Sequence, residues 1–156
     1  MNVDNDTAGV SVSPVSGNTT EAGGTATFSV LLTSQPTADV TISIASSDTT
    51  EGTVSTSSLT FTAANWNVAQ QIVVTGVDDA VADGTVGYSV ATGAAASADA
   101  GYNGLAVADI ALSNTNDDNA GITVSPISGN TGEAGAAATF IVVLNSQPTE
   151  IGRAHV

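Results

Sequence analysis

Basic side chains are almost absent from this chain. One Arg (Arg153) and one histidine (His155) stand against 15 Asp and Glu, for a formal net charge of -14. Both lie in the last seven residues, so the rest of the chain has no side-chain ion pair and no Arg clamp for phosphate. Nucleic-acid binding is thereby excluded. Cysteine is missing altogether, which removes disulfides, thiol chemistry and thiolate zinc sites. Histidine acid–base work is excluded for the same body of the chain. No apolar run approaches the roughly 20 residues of a helical membrane span. Aromatics are few (one Trp, two Tyr, three Phe), so any core is thin.

Ser and Thr are abundant, but without a base there is no nucleophile to activate. Asp78-Asp79 could serve as a glycosidase pair only beside a groove of aromatics, and none accompanies it. No enzymatic activity is expected.

What the chain does have is a copy of itself. Gly9 to Thr37 returns as Gly121 to Thr149, an offset of 112 residues, with about 20 of 29 positions identical. The acidic run Asp4 to Gly9 (DNDTAG) answers Asn116 to Gly121 (NDDNAG). The chain reads as a window on a tandem array: 1–8 the tail of one repeat, 9–120 a complete repeat, 121–149 the opening of the next. Such arrays are built for reach or surface. Met1 stands at the position of Ser113 in the next repeat, which suggests an internal start or a fragment edge. After Thr149 the repeat predicts Ala-Asp, yet the chain reads Glu150-Ile-Gly-Arg-Ala-His-Val156. ATC GGA AGA GCA CAC GTC encodes Ile151 to Val156 and resembles a sequencing adapter. A GAG codon for Glu150 fits an Ala codon's first G followed by adapter AG, so 150–156 is expected to be adapter read-through. The same residues in an independently cloned gene would contradict this. Arg153 and His155 are therefore given no function.

Val, Ile and Thr dominate, and turn residues punctuate every ten or so positions, which points to strands. Seven are predicted: Val10 to Ser13, Thr25 to Thr33, Asp39 to Ala45, one around Leu59 and Phe61, Gln70 to Val77, one around Val86, Tyr88 and Val90, and Val107 to Ser113. Their alternation places Phe28, Val30, Leu32, Val40, Ile42, Ile44, Leu59, Phe61, Ile72, Val74, Val86, Tyr88, Val90, Ile110 and Leu112 inward. The expected fold is all-β: an immunoglobulin-like, seven-stranded antiparallel β-sandwich in tandem repeat. Ala94 to Asn103 reads as a flexible loop. The partial repeat stops after its second strand, so Thr139 to Leu144 is expected to be an unpaired apolar edge, disordered or prone to aggregation.

Alternating strand direction then sorts the acids. Glu21, Asp48, Glu51, Asp78, Asp79, Asp83, Asp117 and Asp118 fall at one end; Asp39 and Asp99 fall at the other, with Asp109 beside the last strand. A further short strand at Gly52 to Ser55 would move the later loops to the opposite end. Gathered carboxylates repel unless a multivalent cation neutralises them, and oxygen-only donors on irregular loops suit Ca²⁺. An EF-hand is excluded, since neither acidic run has the required spacing. Asp4 and Asp6 would serve a preceding repeat as Asp117 and Asp118 serve this one, which puts calcium at the junctions.

TEAGGTATFSV, TTEGTVSTSSLTF, VTGVDDAVADGTVGYSV and the closing NTNDDNAG together resemble the Calx-beta domain. The likeness covers Gly9 to Gly121 and the opening of the partial repeat. It implies a calcium-binding immunoglobulin-like sandwich with ions at one tip. Carried across, it implies ligands at Glu21, Glu51, Asp78, Asp79, Asp83, Asp117 and Asp118. Val86 and Asn116 stand where many members have a carboxylate, which implies fewer or weaker ions, and Asp48 has no counterpart. The implied setting is a large bacterial protein, secreted or at the cell surface, with neighbouring repeats as partners.

Trp66 reads as a cap on the far end rather than a sugar-stacking platform, and Tyr88 as a core or corner tyrosine. Asn5-Asp-Thr and Asn18-Thr-Thr match the glycosylation sequon. Two functional expectations follow: a calcium-binding module whose ions stiffen an adhesive or extending array, or a metal-independent acidic spacer. A surface for a receptor or glycan is a third expectation, which no residue locates.

Overall fold

The alternating segments form strands, and no helix occurs among the described residues. The computed structural model describes residues 5–149. The expectations for Met1, Asp4 and the 150–156 tail lie outside them. The strands are β1 (Val10–Val12), β2 (Thr19–Thr20), β3 (Thr25–Leu32), β4 (Val40–Ser46), β5 (Gly52–Val54), β6 (Ser58–Phe61), β7 (Gln70–Gly76), β8 (Val86–Thr92), β9 (Ala96–Ser97), β10 (Ile110–Thr115), β11 (Ile122–Val124) and β12 (Val142–Leu144).

One sheet has the order β1-β3-β7-β5 and a second β2-β10-β8-β4-β6, with β9 also on β4. Within them the neighbours are antiparallel, except β2, which runs parallel to β10. The inner faces share one core. Phe28, Val30, Leu32, Ile72 and Val74 come from the first sheet; Val40, Ile42, Ile44, Leu59, Phe61, Tyr88, Val90, Ile110 and Leu112 come from the second. Each fully buried side chain of this kind contributes about 1.5–3 kcal/mol. Val86, expected inside, is only partly buried because it sits at the rim where β8 begins.

Two strands change sheet without reversing. β2 leads through the Thr20–Gly24 antiparallel bridge into β3, so β1 and β2, both opposed to β3 or its extension, run the same way in different sheets. By the same tracing β5, antiparallel to β7, and β6, antiparallel to β4, run alike. The short strand at Gly52 therefore exists but does not invert the order of loop ends. The β2–β3, β4–β5 and β7–β8 connections and the segment after β10 all emerge at one end.

The 94–103 segment is not a loose loop. β9 adds to the edge of β4, and Tyr102 is 1% exposed. Its hydroxyl donates to the Ser34 carbonyl at 2.5 Å and accepts from the Ser34 amide at 3.1 Å. One buried anchor fixes a connection that is otherwise small and polar. Trp66 packs partly buried against the core at the opposite end from the acids, as a cap would.

The partial repeat also departs from expectation. Its edge is paired: Ile122↔Leu144, Thr123↔Val143 and Val124↔Val142 reproduce Val10↔Leu32, Ser11↔Leu31 and Val12↔Val30 at the same 112-residue offset. The flanking bonds recur too: Ser13 N–H to Ser29 C=O and Ser16 N–H to Thr27 C=O are matched by Ser125 to Ile141 and Ser128 to Thr139. What is missing is a core beneath them. Phe140, Ile141, Val142, Val143 and Leu144 are each more than half exposed.

Candidate metal centre

Six of the seven expected ligand residues converge into two groups at the shared end. The carboxylate oxygens of Glu21, Asp117 and Asp118 lie within 4.8 Å of one another, and so do those of Glu51, Asp79 and Asp83. Asp78 joins neither group, although its charge acts on Asp118. Asp48 stays outside as well. Its Oδ1 accepts from the Thr50 amide at 3.0 Å and the Thr50 hydroxyl at 2.6 Å, closing the turn that delivers Glu51.

The two glutamates enter from below. Glu21 is 3% exposed and Glu51 7%. The Glu21 Oε2 accepts the Asp117 N–H at 3.0 Å, which draws the segment after β10 over the β2–β3 turn. Glu51 rests on a buried polar layer. Asn114 Nδ2 donates to the Val77 carbonyl at 2.9 Å and approaches Glu51 Oε2 at 3.5 Å. Thr19 Oγ1 meets Asn114 Oδ1 at 3.0 Å and the Tyr88 hydroxyl at 2.9 Å. Gly76 must stay bare here, because a Cβ would fall 2.6 Å from Asn114 Oδ1 and collide with the Thr20 carbonyl. Gly52 is constrained likewise by the Tyr88 ring.

Asn114 and Thr19 went unnoticed in the sequence. The signal was available for Asn114: it follows Ile110 and Leu112 in period two, so it is a polar residue on a core face.

The electrostatics of the two ends differ. At the far end, Asp99 accepts the Thr37 and Gly101 amides, each at 2.8 Å, and those donors hold its carboxyl below the ordinary value. Asp109 accepts the Thr92 amide at 2.8 Å. These are acids used to satisfy backbone N–H groups. At the clustered end the acids face each other instead. Burial raises the Glu21 carboxyl despite the Asp117 amide, with Asp79, Asp83 and Asp117 adding to the rise. Burial raises Glu51 too, against the Asn114 amide and with Asp83, Asp48 and Asp79 adding. Asp118 is raised by burial and then by Asp117, Asp78, Asp79 and Asp83.

One atom stands out. Asp118 Oδ2 is buried and meets no hydrogen-bond donor among the described residues. An acceptor left in this way forfeits its hydration without replacement, and the loss is greater when it is charged. No Lys, Arg or His of residues 5–149 can compensate it, since the chain has none there. The donor chemistry is all oxygen, on loops of irregular shape, which fits a hard divalent cation of variable coordination. Compared with family models and with curated proteins, the chain returns no match.

Proposed function

We propose that this chain is a calcium-binding structural repeat of a large secreted or cell-surface protein. In this reading residues 9–120 form an immunoglobulin-like sandwich of the Calx-beta kind. β1 with β2, and β5 with β6, each count as one strand crossing between sheets, and the two-residue β9 counts as an addition to the edge of β4, which leaves seven. The matching registers of β1–β3 and β11–β12 support a tandem array. Two ions are accommodated, one by Glu21, Asp117 and Asp118 and one by Glu51, Asp79 and Asp83; Asp78 acts through its charge or through an outer position.

The observation that carries the reading is the buried, donor-less Asp118 Oδ2 inside a set of converging carboxylates. Protons or a cation must neutralise such a set, and at neutral pH a cation does so better. Extracellular modules bind Ca²⁺ with dissociation constants of about 10⁻⁴–10⁻³ M, within reach of sites built from three carboxylates. Because the carboxylates come from four separate connections, ion binding ties those connections together and stiffens the end that meets the next repeat.

Thermal unfolding of the full chain in EDTA, in millimolar calcium and in equal magnesium tests this. A calcium-selective rise in Tm supports it. Three superimposable curves would leave a metal-independent acidic spacer.

A further inference from the structure

The β7–β8 connection does more than carry carboxylates. Between Asp79 and Asp83 its tip, Ala80-Val81-Ala82, pairs with the partial repeat. Val81 forms a parallel bridge with Gln147, and the Gln147 N–H donates to the Ala80 carbonyl. The tip is preshaped for this: Asp79 Oδ1 accepts the Val81 amide at 2.7 Å, and the Asp83 amide returns to the Val81 carbonyl at 3.0 Å. Ala82 also closes a hollow lined by Ala120, Gly121, Ile122, Leu144, Ser146, Gln147 and Thr149. The contact uses main-chain groups and small apolar side chains.

The complete repeat has a related groove at its far end, which shares four of the hollow's lining positions, while Leu32, the counterpart of Leu144, is buried in the core instead. There Ala8, Ser34, Gln35 and Thr37 line a groove together with Asp6, Asp99, Gly101 and Tyr102. Ala8, Ser34, Gln35 and Thr37 are the residues that a 112-residue offset converts into Ala120, Ser146, Gln147 and Thr149, and all four are identical in type. The groove is better organised than its counterpart. Ser34 is buried and gripped by the Tyr102 hydroxyl through amide, hydroxyl and carbonyl, while Gln35 beside it is exposed. Asp99 stays charged, since the Thr37 and Gly101 amides hold its carboxyl low, so it repels Asp79 and Asp83 beside the incoming tip. Salt that screens these charges favours the contact.

We infer that this groove is a docking site for the Ala80–Ala82 tip of a second copy of the repeat, which adds to Gln35 by the main-chain bridge seen at Gln147. Head-to-tail joining of this kind is heterologous and does not close on itself, so it propagates into a filament of repeats. Joining two copies in one chain makes the contact intramolecular, at an effective concentration in the millimolar range. The contact requires no cation, so it stands apart from the calcium reading.

Amide hydrogen exchange by NMR tests it, with the full chain compared with an extended protein in which a second copy of residues 9–120 replaces residues 1–8 and so keeps the 112-residue offset, both in EDTA. In the full chain the Gln147 amide exchanges slowly and the Gln35 amide fast. In the extended protein the Gln35 amide slows by at least about tenfold, as expected for a bonded amide that opens only locally. Val81→Pro in the added copy alone returns Gln35 to fast exchange and leaves Gln147 slow. Unchanged Gln35 exchange in the extended protein, with Gln147 protected, overturns the inference. An unprotected Gln147 in the full chain overturns it too, since the bridge that serves as template would be missing.

Discussion

Replacing Glu51 by Gln separates the cost of the acidic cluster from its use. Glu51 is 7% exposed, and its carboxylate lies within 4.8 Å of those of Asp79 and Asp83. Two unit charges at that distance repel by about 1 kcal/mol in water and about 3.5 kcal/mol at an effective dielectric of 20. Asp79 and Asp83 are exposed, so the lower figure applies to each pair and about 2 kcal/mol to both. The substituted amide keeps an oxygen for Asn114 Nδ2, and the shape is conserved. In EDTA the E51Q chain is therefore expected to be more stable by about 2 kcal/mol, or about 8 °C in Tm for a domain of this size. Calcium acts oppositely. At about 100 times its dissociation constant, an ion adds about 2.7 kcal/mol to the protein that binds it. E51Q forgoes that gain at one group, so calcium reverses the order of the two proteins by about 0.7 kcal/mol. Thermal melts of both chains across a calcium series read this directly. An E51Q chain that is less stable in EDTA, or that gains as much from calcium as its parent, would show that Glu51 neither bears the repulsion nor holds an ion.

Other outcomes follow from the same geometry. Glu21, Glu51 and Asp118 have carboxyls raised in the folded state, so folding binds protons and stability in EDTA rises as pH falls from 7 toward the ordinary carboxylate range. The benefit is complete below the unfolded values, about 4–4.5. Asp48 and Asp99, held low by their donors, stabilise above their ordinary value and lose that contribution as pH falls further. With calcium bound, protons compete with the ion and the slope between about pH 7 and 5 takes the opposite sign, as urea titrations at several pH values will show. Tyr102→Phe strips Ser34 of its partners and costs about 1–3 kcal/mol in the same assay. Val143→Lys places a charge on the exposed β12 strand and lowers light scattering at high protein concentration, with Tm unchanged, because no core lies beneath it.

Much of this was legible in advance, for identifiable reasons. Period-two alternation found the inner faces of both sheets, because each strand has one wet side and one dry one. Loop parity placed all the clustered acids at one end. It survived the extra strand at Gly52 because β5 and β6 change sheet without turning back, a step that no local residue pattern announces. The grouping into two sets of three was hidden, since it depends on how the β2–β3 turn and the segment after β10 fold over each other through Glu21 and the Asp117 amide. Tyr102 was missed although it is the lone aromatic in an Ala- and Gly-rich stretch, which is where an anchor is most needed. The pairing of Gln147 with Ala80 rests on main-chain groups, and these leave no trace in side-chain chemistry.

Isothermal titration of calcium into the metal-free full chain distinguishes two built ion sites from a bare acidic surface. Saturable binding of two ions is expected, lost from one site in Glu51→Gln and from the other in Asp118→Asn, with magnesium failing to displace them at equal concentration. Heats no larger than those of dilution, in a chain shown to be folded by its β-type circular dichroism, would contradict binding at either site.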